Sequence, residues 1–341
     1  GIFALFLSFF PQVLSGPIER SYNLLPQFYE KHEVDLNKIK DGLILMLWGF
    51  FKKIVIADNL AIFVNHVFNN PHSFTGIPLI MASVFFAFQI YYDFSGYSDV
   101  AIGCAKVLGF DSMKNFDKPY TSKSITEFWR KWHISLSSWF KDYVYIPLGG
   151  NRVSTSRWCF NQLVVFLLSG LWHGANWTFV LWGLLHGIFT IISKLTRNIR
   201  SQITNKLGLD KYPKIHYAMK VMITFILVDF AWIFFRANSV SDAIYIVSNM
   251  FTNIRDGLSL TSISELLVAM GISIFNFKII TIFTVLLGLI EFYENYSFIG
   301  EMVNKKPFII RWGFYYLLIF SIILLGGYGY EEHTQFIYVQ F

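Results

Sequence analysis

Charge is scarce in this chain. Only 15% of its 341 residues are Asp, Glu, Lys or Arg, against about 25% in an average soluble domain. With 54% hydrophobic residues, 19% aromatic residues and a mean hydropathy of +0.47, that shortage excludes an ordinary water-soluble fold. Cysteine is scarcer still. Cys104 and Cys159 both sit in apolar surroundings; two cysteines build no disulfide framework and read as small buried residues. No His or Cys pair stands at metal-ligand spacing, so no metal is expected. No Gly-x-Ser-x-Gly elbow, Walker loop or dinucleotide fingerprint is present, and no cofactor is expected to be bound. Internal repeats, low-complexity segments and long linkers are missing as well. Residues 1–341 therefore read as a single membrane domain. The surplus of 28 Lys and Arg over 22 Asp and Glu forms no basic stripe interleaved with exposed aromatics, so nucleic acid is not the partner. The positive residues cluster between apolar runs, as the positive-inside rule describes. The partner is a lipid bilayer.

What is there is an all-α, polytopic pattern. A spanning helix needs about 20 mostly apolar residues. Candidates are Ile2–Leu14 (incomplete), Leu43–Val67, Pro78–Tyr92, Leu163 to Ile192 as one or two segments, Ile215–Phe235, Ile274–Tyr293 and Phe308–Leu325. Val240–Phe251 is short enough to lie at the membrane interface. The chain opens at Gly1 inside an apolar run without a basic flank, which is not a signal peptide. The expectation is that the natural start has been removed and that N-terminal spans are missing.

The block Tyr91–Asn151 breaks the pattern. It is too polar to face lipid and too aromatic for a solvated loop. Irregular backbone at membrane depth survives only where protein buries it or a wet cavity borders it, so a re-entrant, cavity-lining segment is expected here. Inside it, Ser124 and Glu127 have capping-box spacing. The helix they start is expected to run on through FWRKWHISLSSWFKDY. On one face it would carry Arg130, His133, Ser137 and Lys141. That face is either an interfacial stripe within a tryptophan belt or a polar wall of a reaction chamber; the residues alone leave both open. Asp93 and Asp99, among Tyr91, Tyr92, Ser95 and Tyr97, either line a hydrogen-bonding wall or pair with bases such as Arg130 and Lys131, because buried charges need partners. Asp229 is expected to pair with Arg236. Glu291 and Glu331-Glu332 are further polar residues in apolar surroundings.

Two histidines lie in SGLWHGANWTFVLWGLLHG. His173 sits in a run without Asp, Glu, Lys or Arg between Asn161 and His186. Ionisable groups in spans are functional candidates by default, and imidazole, with an ordinary pKa of about 6.5, suits proton transfer. A hydrogen-bonded structural histidine is the competing reading. His186 is thirteen residues on, some 20 Å away along an unbroken helix, and reads as a packing or capping residue. A non-enzymatic proton-relaying transporter and a structural scaffold also fit these features.

At this point the motifs carry a resemblance. FFPQVLSGPIER (Phe9–Arg20), DFSGYSDVAIG (Asp93–Gly103), the long block Leu108–Arg152, the Trp-His-Gly segment and the closing QFIYVQF (Gln335–Phe341) resemble the membrane-bound O-acyltransferases. The resemblance is in particular to the bacterial subfamily of the alginate O-acetylase inner-membrane subunit. The resemblance covers almost the whole chain in order, as the C-terminal two-thirds of such a protein, and the closing motif implies a native C-terminus. It implies an irregular helical fold around a tunnel in the bacterial inner membrane. It makes His173 the catalytic histidine and His133 the second active-site residue. Trp172, Asn176, Arg130, Ser137, Asp93 and Tyr97 would line the substrate path. It implies acetyl-CoA as acyl donor. The acceptor would be a polysaccharide (alginate-like, cellulose or peptidoglycan) or a periplasmic or extracellular acetyltransferase partner. The D-alanyl exporters of lipoteichoic acid share the WHISLS-like helix but depart after Trp-His-Gly, so a D-alanyl or other acyl export subunit is the alternative.

Overall fold

The computed structural model describes residues 1–13, 16–254, 260–269, 272–293 and 303–328. Glu331-Glu332 and Gln335–Phe341 lie outside them. Among the described residues every regular element is helical. Among these residues four helices are long and apolar enough to cross a membrane: Ile77–Val107, Trp177–Leu195, Pro213–Arg236 and Phe308–Leu325. Helix Ile274–Tyr293 carries a shorter apolar stretch, Ile274–Leu289. The chain is thus a multi-pass helical membrane protein. Two expected boundaries move. The segment expected at Ile2–Leu14 is, over its described residues, two short helices, Ile2–Ser8 and Phe10–Val13, parted at Phe9. The span expected at Pro78–Tyr92 continues without a break to Val107. Its 31 residues measure about 46 Å at 1.5 Å each. The start of the block expected to be irregular, Tyr91 to Val107, is therefore regular helix.

The chain divides into two compact units. One comprises Gly1–Asn65, Phe85–Asp117 and Leu260–Phe341, the other His66–Val84 and Lys118–Ser259. In the first, helix Leu36–Phe50 begins at Asp35, whose carboxylate accepts the backbone N–H groups of Asn37 and Lys38. Its Gly42 and Gly49 meet Gly103 and Gly96 of the long helix. A Cβ on Gly49 would stand 2.5 Å from the Gly96 carbonyl, and one on Gly42 2.6 Å from that of Gly103. Small residues let membrane helices touch backbone to backbone.

After Phe50 the helix widens into a π turn, Phe51–Ala57, and resumes as Asp58–Asn69. The π turn carries two lysines. Lys53 bridges Asp58 at 2.8 Å and Asp93 at 2.5 Å; Lys52 holds Asp99 at 2.7 Å and the Ser95 hydroxyl at 2.9 Å. The pairing expected of Asp93 and Asp99 is present, but with these lysines rather than Arg130 or Lys131. Lys131 is held by Glu127, one turn away on its own helix, at 3.0 Å. Tyr91 donates to Glu291 at 3.0 Å.

In the second unit, helices Thr155–His173 and Trp177–Leu195 form an antiparallel hairpin, so the apolar run at 163–192 is two segments. A Cβ on Gly170 would lie 2.3 Å from the Phe179 carbonyl, and one on Gly183 2.3 Å from that of Phe166. Helix Pro213–Arg236 packs on the hairpin through Trp232 and Phe235. Asp229 does not meet Arg236: it accepts the Ser83 hydroxyl at 2.8 Å. The Arg236 guanidinium instead donates to Asn69 at 3.3 Å and covers the Phe68 ring. Seven residues put the two two turns apart on one helix, too far for contact. Helix Val240–Asn249 buries Ala243 and Ile246 against protein, and its Asn249 carbonyl accepts the Gly76 N–H.

These glycine contacts generate a stability prediction. Gly49→Ala forces a methyl against backbone and should cost about 1–3 kcal/mol. Gly313→Ala, on a helix where a Cβ meets nothing within 4 Å, should be neutral or stabilising, since alanine is the better helix former by about 1 kcal/mol. Thermal unfolding of both variants in detergent micelles checks the contrast.

Candidate active site

The site begins with a helix that stops. Ser124 caps helix Ile125–Lys131 by accepting the Glu127 N–H at 3.2 Å, while the Glu127 carboxylate accepts the N–H of Lys123, one residue before the expected partner. The expected continuation through WHISLS does not occur. Trp132 is extended, His133 takes left-handed backbone angles (φ 42°, ψ 57°), and a second helix runs Ile134–Phe140. A non-glycine residue in that region costs about 1–2 kcal/mol, and such positions cluster at functional sites. The break removes the shared face: Arg130 is exposed before it, and the exposed Lys141 opens a π turn after it. Ser137 donates its hydroxyl to the Trp132 carbonyl at 3.1 Å. It thereby satisfies a backbone group that the break leaves over.

His133 is itself buried, 3% exposed, with Ser135 Oγ 3.4 Å from its Nδ1. The Trp172 ring lies 6.2 Å from it, centroid to centroid, and 5.0 Å from His173. Trp172 thus contacts both imidazoles. His173 is the last residue of its helix and is 6% exposed. Gly174 follows because the Phe179 ring leaves no room for a side chain, a Cβ there lying 2.8 Å from Cε2. Asn176 then starts the return helix by accepting the Thr178 N–H at 3.1 Å. The carboxamide thus works as an N-cap.

Aromatic rings box in His173. Trp182 and Phe235 each stand 5.1 Å away, nearly perpendicular, and Phe179 stands at 6.3 Å. Trp182 was not among the expected site residues, yet it is 1% exposed and also touches His186 at 5.1 Å. The separation expected along an unbroken helix therefore fails, because the hairpin folds His173 back beside the return helix. The i, i+4 pair Trp182 and His186 was the available signal. His186 is fully buried and accepts the Trp129 indole N–H at 3.2 Å, as a packing histidine does. Asp93 and Tyr97 belong to the first unit, where Asp93 pairs with Lys53. Among the described residues no three His, Cys, Asp or Glu side chains gather as metal ligands.

A multi-pass helical protein with two buried histidines, one ending a membrane hairpin and one on a strained turn, defines the class. The chain belongs to the membrane-bound O-acyltransferase family, whose pattern matches residues 2–235. It is 42% identical over 265 residues to a peptidoglycan O-acetyltransferase of Helicobacter pylori, covering 77% of this chain and 48% of that protein. It is 43% identical over 251 residues to a probable alginate O-acetylase of Pseudomonas aeruginosa, covering 73% and 46%. A teichoic acid D-alanyltransferase of Streptococcus thermophilus is 29% identical over 262 residues, covering 69% and 61%. The chain spans about half the length of the first two.

The left-handed turn at His133 is testable apart from activity. His133→Gly should be more stable than His133→Ala by about 1 kcal/mol, the penalty a Cβ carries at that conformation. Melting temperatures of the two purified variants give the comparison; equal values contradict the strained turn.

Proposed function

We propose that the whole protein, of which this chain is part of a single membrane domain, is an O-acetyltransferase of the bacterial plasma membrane. It moves acetyl groups from cytoplasmic acetyl-CoA to exported polysaccharide, or to a partner protein that acetylates it. The observation that carries this reading is the pair of buried imidazoles, His133 and His173, set about the half-exposed Trp172. The names of the acetyltransferase relatives support the acetyl group over D-alanine.

His173 acts as general base. It takes the proton of an acceptor hydroxyl as that oxygen attacks the thioester carbonyl carbon. The C–S bond then breaks, and the departing thiolate is protonated. His133, fixed by its turn, orients the acceptor or the carbonyl. Indole and hydroxyl donors nearby stabilise the developing oxyanion, which a low-dielectric site rewards more than water does. Trp172 lines the path.

Membranes holding the full-length protein, supplied with radiolabelled acetyl-CoA, test the assignment. His173→Ala should lower acetyl transfer by about 10²–10⁴-fold, the usual worth of general-base help. Wild-type turnover by that variant would sink it. His133→Ala should slow turnover too, but His186→Gln should not fall as far as His173→Ala. Transfer of D-alanyl groups but not acetyl groups would favour the export subunit of the teichoic acid relatives.

A further inference from the structure

Helix Trp177–Leu195 carries polar side chains at every fourth position of one stripe: Trp182, His186, Thr190 and Lys194. Three of them are buried, at 1%, 0% and 6% exposed. Each of these three has a polar atom with no hydrogen-bond partner: Trp182 Nε1, His186 Nε2 and Thr190 Oγ1. His186 Nδ1 accepts from Trp129. A neutral ring must then carry its proton on Nε2, which points a second donor into the protein. On the facing helix, Asn161 is fully buried. Its Nδ2 donates to the Leu148 carbonyl at 3.0 Å, while its Oδ1 is left over. Asn161 lies between two points where the hairpin helices meet. Lys194 sits over the Trp158 ring at 3.6 Å, and Gly187 faces Leu163 and Phe166.

Each orphaned buried polar group costs about 1–3 kcal/mol. Three of them fall on one stripe of one helix, and a fourth on the helix that faces it. Buried water, bound by two to four polar groups, is the general remedy. The stripe starts at the ring packed against His173 and ends at the exposed Lys194, about 18 Å along the helix.

We propose that Trp182, His186, Thr190 and Asn161 hold a file of buried waters that carries protons between His173 and the Lys194 end of the hairpin. Its proton role rests on the acetyl-transfer reading; its existence does not. In each turnover His173 gains the hydroxyl proton and passes it along the file to bulk solvent. The thiolate released from the donor takes one proton from solvent, so atoms and charge balance. His186 is then a positioning residue for water rather than a catalytic one.

Radiolytic labelling of the full-length protein in isotope-labelled water, which oxidises side chains beside bound water, tests the file without any turnover. Trp182 and His186 should label well above Trp232, which is equally buried but bonds to Tyr120. Labelling at the Trp232 background would overturn the file. Thr190→Val, nearly isosteric, should reduce the labelling and lower kcat about tenfold at unchanged KM, a fraction of what general-base catalysis supplies. Thr190→Ser should restore both. Loss of labelling with kcat unchanged would overturn the proton role. Absence of acetyl transfer in the wild type would overturn the acetyltransferase reading and leave the labelling result standing.

Discussion

Gly170 faces the carbonyl of Phe179, and Gly183 faces that of Phe166. At these points the two arms of the hairpin touch without side chains between them. Much of the second unit depends on that approach. It sets the register that returns Trp182 to His173, and it fixes which side chains of the return helix are buried. A single Cβ at either glycine would push the arms apart, because a backbone carbonyl cannot move aside as a flexible side chain can. The first unit uses the same device, with Gly42 and Gly49 against Gly103 and Gly96. In a bilayer, where hydrophobicity gives helices no reason to prefer each other over lipid, close van der Waals contact is the available source of cohesion.

Charge is handled by a second device. Two adjacent lysines in the first unit hold three carboxylic side chains: Lys53 pairs with Asp58 and Asp93, and Lys52 with Asp99. The π turn at Phe51–Ala57 presents the two lysines side by side. Such turns are rare in ordinary helices and frequent near functional positions. Uncompensated, any one of these charges would be costly at membrane depth; removing a single partner leaves the other buried and unpaired.

Much of this was legible in the residues. Scarcity of charge and runs of apolar residues are enough to announce a polytopic helical protein, because a bilayer admits few other backbones. The cap at Ser124 was readable from three-residue spacing, since capping is local. The pairing of Asp93 and Asp99 was foreseeable in kind, because buried charge demands a partner. Which base would answer was not, since Lys52 and Lys53 stand some forty residues upstream. The continuous helix expected through WHISLS failed for a related reason. Nothing in the local spacing announces a break there, and the strained turn at His133 persists because the surrounding structure buries and holds it.

His173 and His186 mark the boundary most clearly. By itself the sequence determined that two imidazoles would sit in membrane-grade surroundings, that one would follow Trp172 and precede Gly174, and that no metal-ligand spacing joined them. These are statements about composition and neighbours along the chain. Tertiary structure decided the rest. It ended the helix at His173, folded the chain back at Asn176 and put Trp182 against both rings. It also set Trp172 between His173 and a second imidazole forty residues upstream. Such contacts follow from how closely two backbones pack, and that distance is written in no single stretch of residues.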